Sequence, residues 1–375
     1  MAQPKNFGYD ADAAALKSQA EKFFNDRLPV DQLHALVAND STPEREPVVD
    51  WKPEIWTEMV ELGWSILTVP EDKGGLGLPL VAVAGLIEAQ GKAACPSPLL
   101  ETLNVGLVLS HCDQADAGFE AILEGKSVAL AFADQHGSYE PSTTQVKADG
   151  DVLSGTAYFV QEAGKVDALL VAAQSGQGIA WYWVDKSAAG VAVQQDAIID
   201  LTRDQATVNF DQVSGLKLGS DACAAFAAAQ PAIAALLAAD VAGAGEWLLQ
   251  TTVEYVSVRK QFDRPLGFFQ GVKHPLVNVM LAIDETKSLA YNAACAYDCD
   301  EPNTPKAGHL AKASAADTAD FSASRAVQMH GGIGFTWECY VHLYFKRQMH
   351  SKALYGDAMW HRAKLADIVF GPAAA

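Results

Sequence analysis

The residues of this chain best suited to recognition chemistry are Arg259 and Phe262, with Gln270 behind them, then Gln328 and the adjacent Gly331 and Gly332. A guanidinium at a helix end presents a fixed fork of donors that suits a pyrophosphate. Phe262 and Gln270 are of types that pack and hydrogen-bond around an adenosine. Gln328 offers an amide, and two glycines let a dinucleotide approach the backbone closely. By itself R-x-x-F is a weak motif. A solvated helix end before the tight turn Pro265-Leu266-Gly267 explains it equally well. The cysteines Cys95, Cys112, Cys223, Cys295, Cys299 and Cys339 make no C-x-x-C and no zinc-spaced cluster with histidine. Cys295 and Cys299, four apart, share a helix face and read as buried thiols of a reducing compartment.

The elements that must position these residues fall into three blocks. Residues from about Asp10 to Leu123 carry apolar positions at helical spacing, as in AAALKSQAEKFFNDRL, IWTEMVELGW and VAVAGLIEAQGKAA. The loop TVPEDKGGLGLPL interrupts them. From about Val128 to Val213 the texture changes to short β-branched and aromatic runs: SVALAFAD, DVLSGTAYFV, DALLVAAQ, IAWYWVD, GVAVQQ and ATVNFDQV. From about Ala222 the helical texture returns. PAIAALLAADVAGAGEWLLQTTVEYVSVRKQF predicts one long helix with Pro231 near its first turn. Two more helices follow, the second closed by Gly331-Gly332, and a last one begins near Phe345. The domains expected are 1–125, 126–215 and 216–375, an α+β chain that is mostly α, with an inserted sheet.

The 375 residues exceed what one compact core usually holds. Half are apolar and 19% charged, an ordinary globular composition. No run approaches the roughly 20 consecutive apolar residues that span a bilayer: the stretch around Ala224–Ala244 is broken by Gln230, Pro231 and Asp240. The first residues lack a basic and apolar leader, so a cytoplasmic protein is expected. A net charge of −19 argues against nucleic acid. It leaves room for a polyanion such as CoA or a dinucleotide, held by local arginines, backbone amides and helix N-termini.

Four segments, in order across nearly the whole chain, resemble the acyl-CoA dehydrogenase family. They are ELGWSILTVPEDKGGLGLPL with the later Glu88 and Gly91; VRKQFDRPLGFFQGVKH; AVQMHGGIGFTWE; and, more weakly, the β block with GTAYFV and DLTRDQATVNFDQV. The resemblance implies an N-terminal helical domain, a central β-barrel domain and a C-terminal four-helix bundle. It implies FAD as cofactor, with Arg259, Phe262, Gln270, Gln328, Gly331 and Gly332 reaching a flavin bound mainly by a neighbouring subunit. The reaction implied is removal of the α proton of an acyl-CoA by a carboxylate, with the β hydrogen passing as hydride to flavin N5. Electrons would go on to an electron-transfer flavoprotein.

The departures are as informative. The family's glutamate base commonly follows the tyrosine of the last helix region, where this chain has Gly356, with Asp357 next. On a continuing helix Asp357 would point about 100° away. The other place for the base falls near Ile233, and Gln230–Leu237 holds no acid. Asp240 lies about 10 Å further along the helix and Glu246 about 20 Å. Glu246 reads as an interface or surface residue, and the catalytic base of this chain is unknown. The flavin-ring cradle is eroded too: AFADQHGSYEPS keeps Gly137 and Ser138 but has Asp134-Gln135 for Glu-Pro, and FVQEAGKVD lacks a Thr or Ser beside the ring. With DLTR, these absences resemble α2β2 heterotetramers in which two related chains share a flavin site and act on steroid-derived CoA esters. The expectation is a subunit of such a dehydrogenase, acting on a bulky, steroid-like acyl-CoA with the base on its partner. A self-sufficient homo-oligomer with an unrecognised base, or a scaffold that binds no flavin, are the alternatives.

Overall fold

The structure, a computed structural model, describes residues 4–38, 50–299 and 301–371; the tail at 372–375 lies outside them. The first block contains α1 (Ala11–Arg27), α2 (Val30–Val37), α3 (Pro53–Glu61), α4 (Leu80–Ala93), α5 (Leu99–Leu109) and α6 (Asp116–Leu123). Asp10 caps α1 by accepting from the Ala13 amide. Every residue of α4 from Leu80 to Gly91 is buried, as expected of a helix apolar on nearly all sides. It has no side-chain cap of its own. Asp298, more than 200 residues later, accepts from the Leu80 amide at 3.0 Å.

The second block forms β1 (Val128–Ala131), β2 (Lys147–Asp149), β3 (Val152–Gln161), β4 (Ala168–Ser175), β5 (Gly178–Asp185), β6 (Val191–Gln195), β7 (Gln205–Ser214) and β8 (Leu216–Gly219). Strand order is β6-β7-β3-β2-β4-β5-β8, with β1 parallel to β4. The path ends at β6 and β8, which pair with no further strand among the described residues. Six strands match the runs read from the sequence. β2 and β8, three and four residues long, are too short to show alternation. On β1 and β4 the period of two divides the residues between two cores. Ala129, Ala131, Leu169 and Val171 face the sheet's own core, while Val128, Leu130, Ala168 and Leu170 join the helical one.

The third block is α7 (Ala222–Val258), the hairpin β9 (Lys260–Gln261) with β10 (Arg264–Pro265), then α8 (Gln270–Cys299), α9 (Thr304–His330), α10 (Val341–Ser351) and α11 (Ala358–Phe370). Three expectations are corrected here. The long helix stops at Val258 rather than running on to Phe262, because Arg259 is extended and Lys260–Gln261 pairs with Arg264–Pro265. Pro231 is not near the first turn of α7: Asp221 caps the helix, and the alanine-rich stretch before the proline is already helical. The last helix is two helices, because Tyr355 and Gly356 both take positive φ, 54° and 106°. The Lys312 ammonium donates to the carbonyls of Lys352 and Gly356 at 3.1 and 2.9 Å, which fixes that break.

α7 is the axis of the fold. By length and composition it could cross a membrane, with mean hydropathy 1.8 over its most apolar window, yet 72% of that window is buried inside the fold. Its backbone touches that of α4 through two glycines. A Cβ on Gly91 would stand 2.1 Å from the Asp240 carbonyl oxygen, and one on Gly243 would stand 2.0 Å from that of Glu88. Only glycine permits this approach.

Candidate functional site

The dinucleotide candidates gather at one end of the helical bundle. Arg259 is the C-cap of α7, in extended conformation, and accepts from the Leu266 amide at 2.8 Å, which closes the β9–β10 hairpin behind it. Phe262 stands at the hairpin tip with φ 52° and is 86% exposed. Gln270 opens α8, Gln328 is exposed on the last turn of α9, and Gly331 ends that helix at φ 65°. The Tyr255 ring stacks on His330 at 4.4 Å, pinning the end of α7 to the end of α9. Among the described residues nothing lies within 4 Å of a Cβ added at Gly331 or Gly332. The surface is therefore open, donor-bearing and flanked by exposed apolar groups, with Phe335 at 69% and Phe268 at 57% exposure.

The cleft between sheet and bundle is the opposite case. The segment 131–142 meets the 355–357 turn directly. Tyr139 lies against Tyr355 with ring centroids 5.1 Å apart, and Phe132 and Phe226 complete the cluster. Below it, Tyr355 donates to the Glu101 carboxylate at 2.7 Å, and Asn104 donates to its other oxygen. Glu101 is 2% exposed, and burial pushes its carboxyl up to about 7. The Asp134 carboxylate turns back on its own loop and accepts from the amides of His136 and Ser138. A Cβ on Gly356 would stand 2.7 Å from the Trp360 ring and 3.0 Å from His361 Nε2. No longer side chain fits there as the chain stands.

Deeper in the same cleft, ion pairs tie sheet to bundle. Asp240 on α7 accepts from Arg203 of the DLTR stretch at 2.7 Å and from Arg347 on α10 at 2.5 Å. Burial would raise the Asp240 carboxyl, yet the two guanidinium groups hold it below its usual value. Arg347 also donates to Thr202. Gln161, at the cradle end of β3, meets His350 at 3.0 Å and donates to Gln205. The following residues, where a Thr or Ser is lacking, form a buried cluster in which Lys165 donates to Glu162 and to Asp204.

The acids named from the sequence are now placed. Asp240 is locked between two arginines. Asp357 is not on a continuing helix: it caps α11, accepting from the Trp360 amide at 2.8 Å. Of the two readings of Glu246, the surface one is corrected: it is half-buried, with both carboxylate oxygens engaged inside the chain. It accepts from Lys92 of α4 and Lys287 of α8, and although burial opposes it, the two ammonium groups hold its carboxyl at about 2. Ile233 is fully buried, and the Gln230–Leu237 stretch around it on α7 holds no acid. Glu101, Tyr139, Tyr355 and His350 were missed. The only advance signal was a lone glutamate in the apolar run LLETLNVGLVL.

This order of helices, sheet and helices, with a nucleotide-type surface at the bundle end, defines a flavoprotein dehydrogenase architecture. The chain belongs to the acyl-CoA dehydrogenase family. The family's N-terminal domain matches residues 10–137 and its C-terminal domain residues 233–370. The chain is 32% identical to the acyl-CoA dehydrogenase IpdE2 of Mycobacterium tuberculosis, over 78% of this chain and 79% of that one. Among solved structures it resembles the Tcur3481-Tcur3483 steroid ACAD, in variant form, with 26% identity, TM-score 0.83 and coverage of 96% and 97%. The ChsE4-ChsE5 complex of Mycobacterium tuberculosis shares the fold, with 22% identity, TM-score 0.83 and coverage of 98% and 100%.

The chain is thus an oxidoreductase chain of acyl-CoA α,β-dehydrogenation, with FAD as the family's cofactor. Its residues fit that cofactor unequally. The open bundle end suits a dinucleotide. The cleft does not suit a flavin ring, because Tyr139–Tyr355 and Gln161–His350 already join its walls.

Proposed function

We propose that this chain is the base-free subunit of an α2β2 acyl-CoA dehydrogenase acting on a bulky, steroid-like acyl-CoA. The observation that carries the reading is the closed cleft opposite an open bundle end. Arg259, Phe262, Gln270, Gln328, Gly331 and Gly332 hold the ADP half of an FAD whose ring lies in the partner subunit. Bound FAD supplies the hydride acceptor. Arg259 neutralises pyrophosphate charge, Phe262 packs the adenosine, and the glycines admit the dinucleotide to the backbone. The carboxylate that takes the α proton belongs to the partner, since Gly356 and Ile233 offer none and a base must lie within hydrogen-bond reach. A partner cleft that need not be matched by a second one leaves room for a polycyclic acyl group. The likeness to the Tcur3481-Tcur3483 steroid ACAD supports the steroid class. The domain division 1–125, 126–215 and 216–375, a cytoplasmic site of action and onward electron transfer to an electron-transfer flavoprotein belong to the same reading.

Co-expression with a related dehydrogenase chain of the same organism tests the reading. The chain alone should purify colourless or with well under one FAD per chain, and the pair should be yellow and turn over a steroid-type acyl-CoA. Full flavin occupancy and turnover by the lone chain would establish the self-sufficient alternative. A colourless, inactive pair would establish the scaffold.

A further inference from the structure

The geometry points to Cys295 and Cys299 as a dithiol that closes to a disulfide under oxidation and, in closing, releases the N-terminus of α4. Their sulfurs lie 3.7 Å apart, and Cys299 is the last residue of α8. Four helical residues separate Cα atoms by about 6 Å, inside the range of about 4.4–6.8 Å that disulfides accept. The Cβ atoms of such a pair stand about 5–6 Å apart, wider than the about 3.5–4.5 Å a disulfide needs. Bridging therefore requires the last turn of α8 to shift. That turn is the last of α8, and the shift must also give at Thr304 of α9, which donates to the Ala296 carbonyl at 2.8 Å. The Cys299 thiol already donates to the Cys295 carbonyl at 2.9 Å, and it is half-exposed, within reach of a small oxidant.

The turn that must shift carries more than two thiols. Asp298 is the residue that caps α4 through the Leu80 amide, and Tyr297 meets His111 just beyond α5 at 3.2 Å. Moving this turn frees the Leu80 amide at the start of α4, while Glu88 further along α4 stays joined to Tyr291 and Lys287 of α8. With oxidised glutathione as oxidant, the Cys299 thiolate attacks one of its sulfurs, forming a mixed disulfide and expelling one glutathione thiolate. The Cys295 thiolate then attacks the Cys299 sulfur and expels the second. Two protein thiols are oxidised, one glutathione disulfide is reduced to two glutathiones, and the two thiol protons end on them.

The full chain, treated with oxidised glutathione and digested with trypsin, gives a peptide 288–306 that contains these two cysteines and no other. The expected product is that peptide two hydrogens lighter, from a protein melting about 2–4 °C lower and restored by dithiothreitol. Cys299→Ala should be indifferent to the oxidant. Asp298→Ala should melt low when reduced and fall little further on oxidation. A peptide carrying one glutathione and no closed disulfide would overturn the dithiol. A closed disulfide with unchanged melting, or an Asp298→Ala protein that falls as far as the unaltered chain, would overturn the link to α4.

Discussion

Tyr139 and Tyr355 lie ring against ring, 5.1 Å between centroids and 33° between planes, and join the loop after β1 to the turn before α11. The family resemblance places a flavin cradle on the first segment and a catalytic glutamate on the second. In this chain the two segments are partners of each other. The cleft between them is packed with aromatic rings over a glutamate whose only described acceptor role is toward Tyr355 and Asn104. Neither Gly356 nor the Gln230–Leu237 stretch supplies a carboxylate, and aromatic rings fill the space between the two segments.

Restoring the glutamate should therefore not restore the site. Gly356→Glu places a side chain against Trp360 and His361 at a residue with φ 106°. Backbone strain of this kind costs roughly 1–3 kcal/mol before any clash. The variant is expected to melt lower and, purified alone, to show no dehydrogenase turnover. Turnover by the lone Gly356→Glu chain would show that the cleft opens readily.

Arg259→Ala is expected to leave circular dichroism and melting of the chain unchanged, since the side chain is exposed at a helix end. In the complex it should weaken FAD by about tenfold or more, the loss of a charge-assisted contact. A titration of FAD into deflavinated complex measures this, and equal affinity would reduce Arg259 to a solvated cap.

The three remaining acids separate by role. Asp357→Asn should keep kcat of the complex within a few-fold, because asparagine caps a helix as well as aspartate. Glu246→Gln should do the same once assembly and flavin content are checked. Loss of a true general base costs about 10²–10⁴-fold, so a drop of that size in either flavin-loaded variant would place the base on this chain. Asp240→Asn belongs to another class. It leaves Arg203 and Arg347 buried without their counter-charge, at a cost of about 3–5 kcal/mol, and is expected to show as poor folding.

Glu101 predicts a pH dependence of stability. Burial pushes its folded carboxyl up to about 7 from an ordinary value near 4.5, so between those pH values the folded chain holds a proton that the unfolded chain has released. Stability from this group is full below about 4.5 and lost as pH rises through about 7. Urea denaturation at pH 5 and pH 8 should show Glu101→Gln gaining on the unaltered chain at the higher pH. A stability difference between the two that is the same at both pH values would remove Glu101 as the cause.

Much of this protein is local and was legible without coordinates. The change from helical spacing to short alternating runs and back reflects side chains answering to a 3.6 or a 2.0 residue period. The Gly331-Gly332 helix end is set by neighbouring residues and was legible, whereas the hairpin at Lys260–Pro265 falls where the sequence suggested continuing helix. The absence of a carboxylate at Gly356 is a fact of residue type. What the tertiary structure decided depends on residues far apart in sequence. Asp240 seemed a spare acid until Arg203 and Arg347 closed on it from opposite elements. Glu246 read as an outward residue, yet lysines from α4 and α8 turn it inward. The break between α10 and α11 is held by Lys312 of α9, which no local pattern announces. Whether the cleft is open or filled rests on Tyr139, Phe132, Phe226, Tyr355 and Glu101 meeting from four separate segments. Packing between distant segments carries no period along the chain, so only the folded arrangement reveals it.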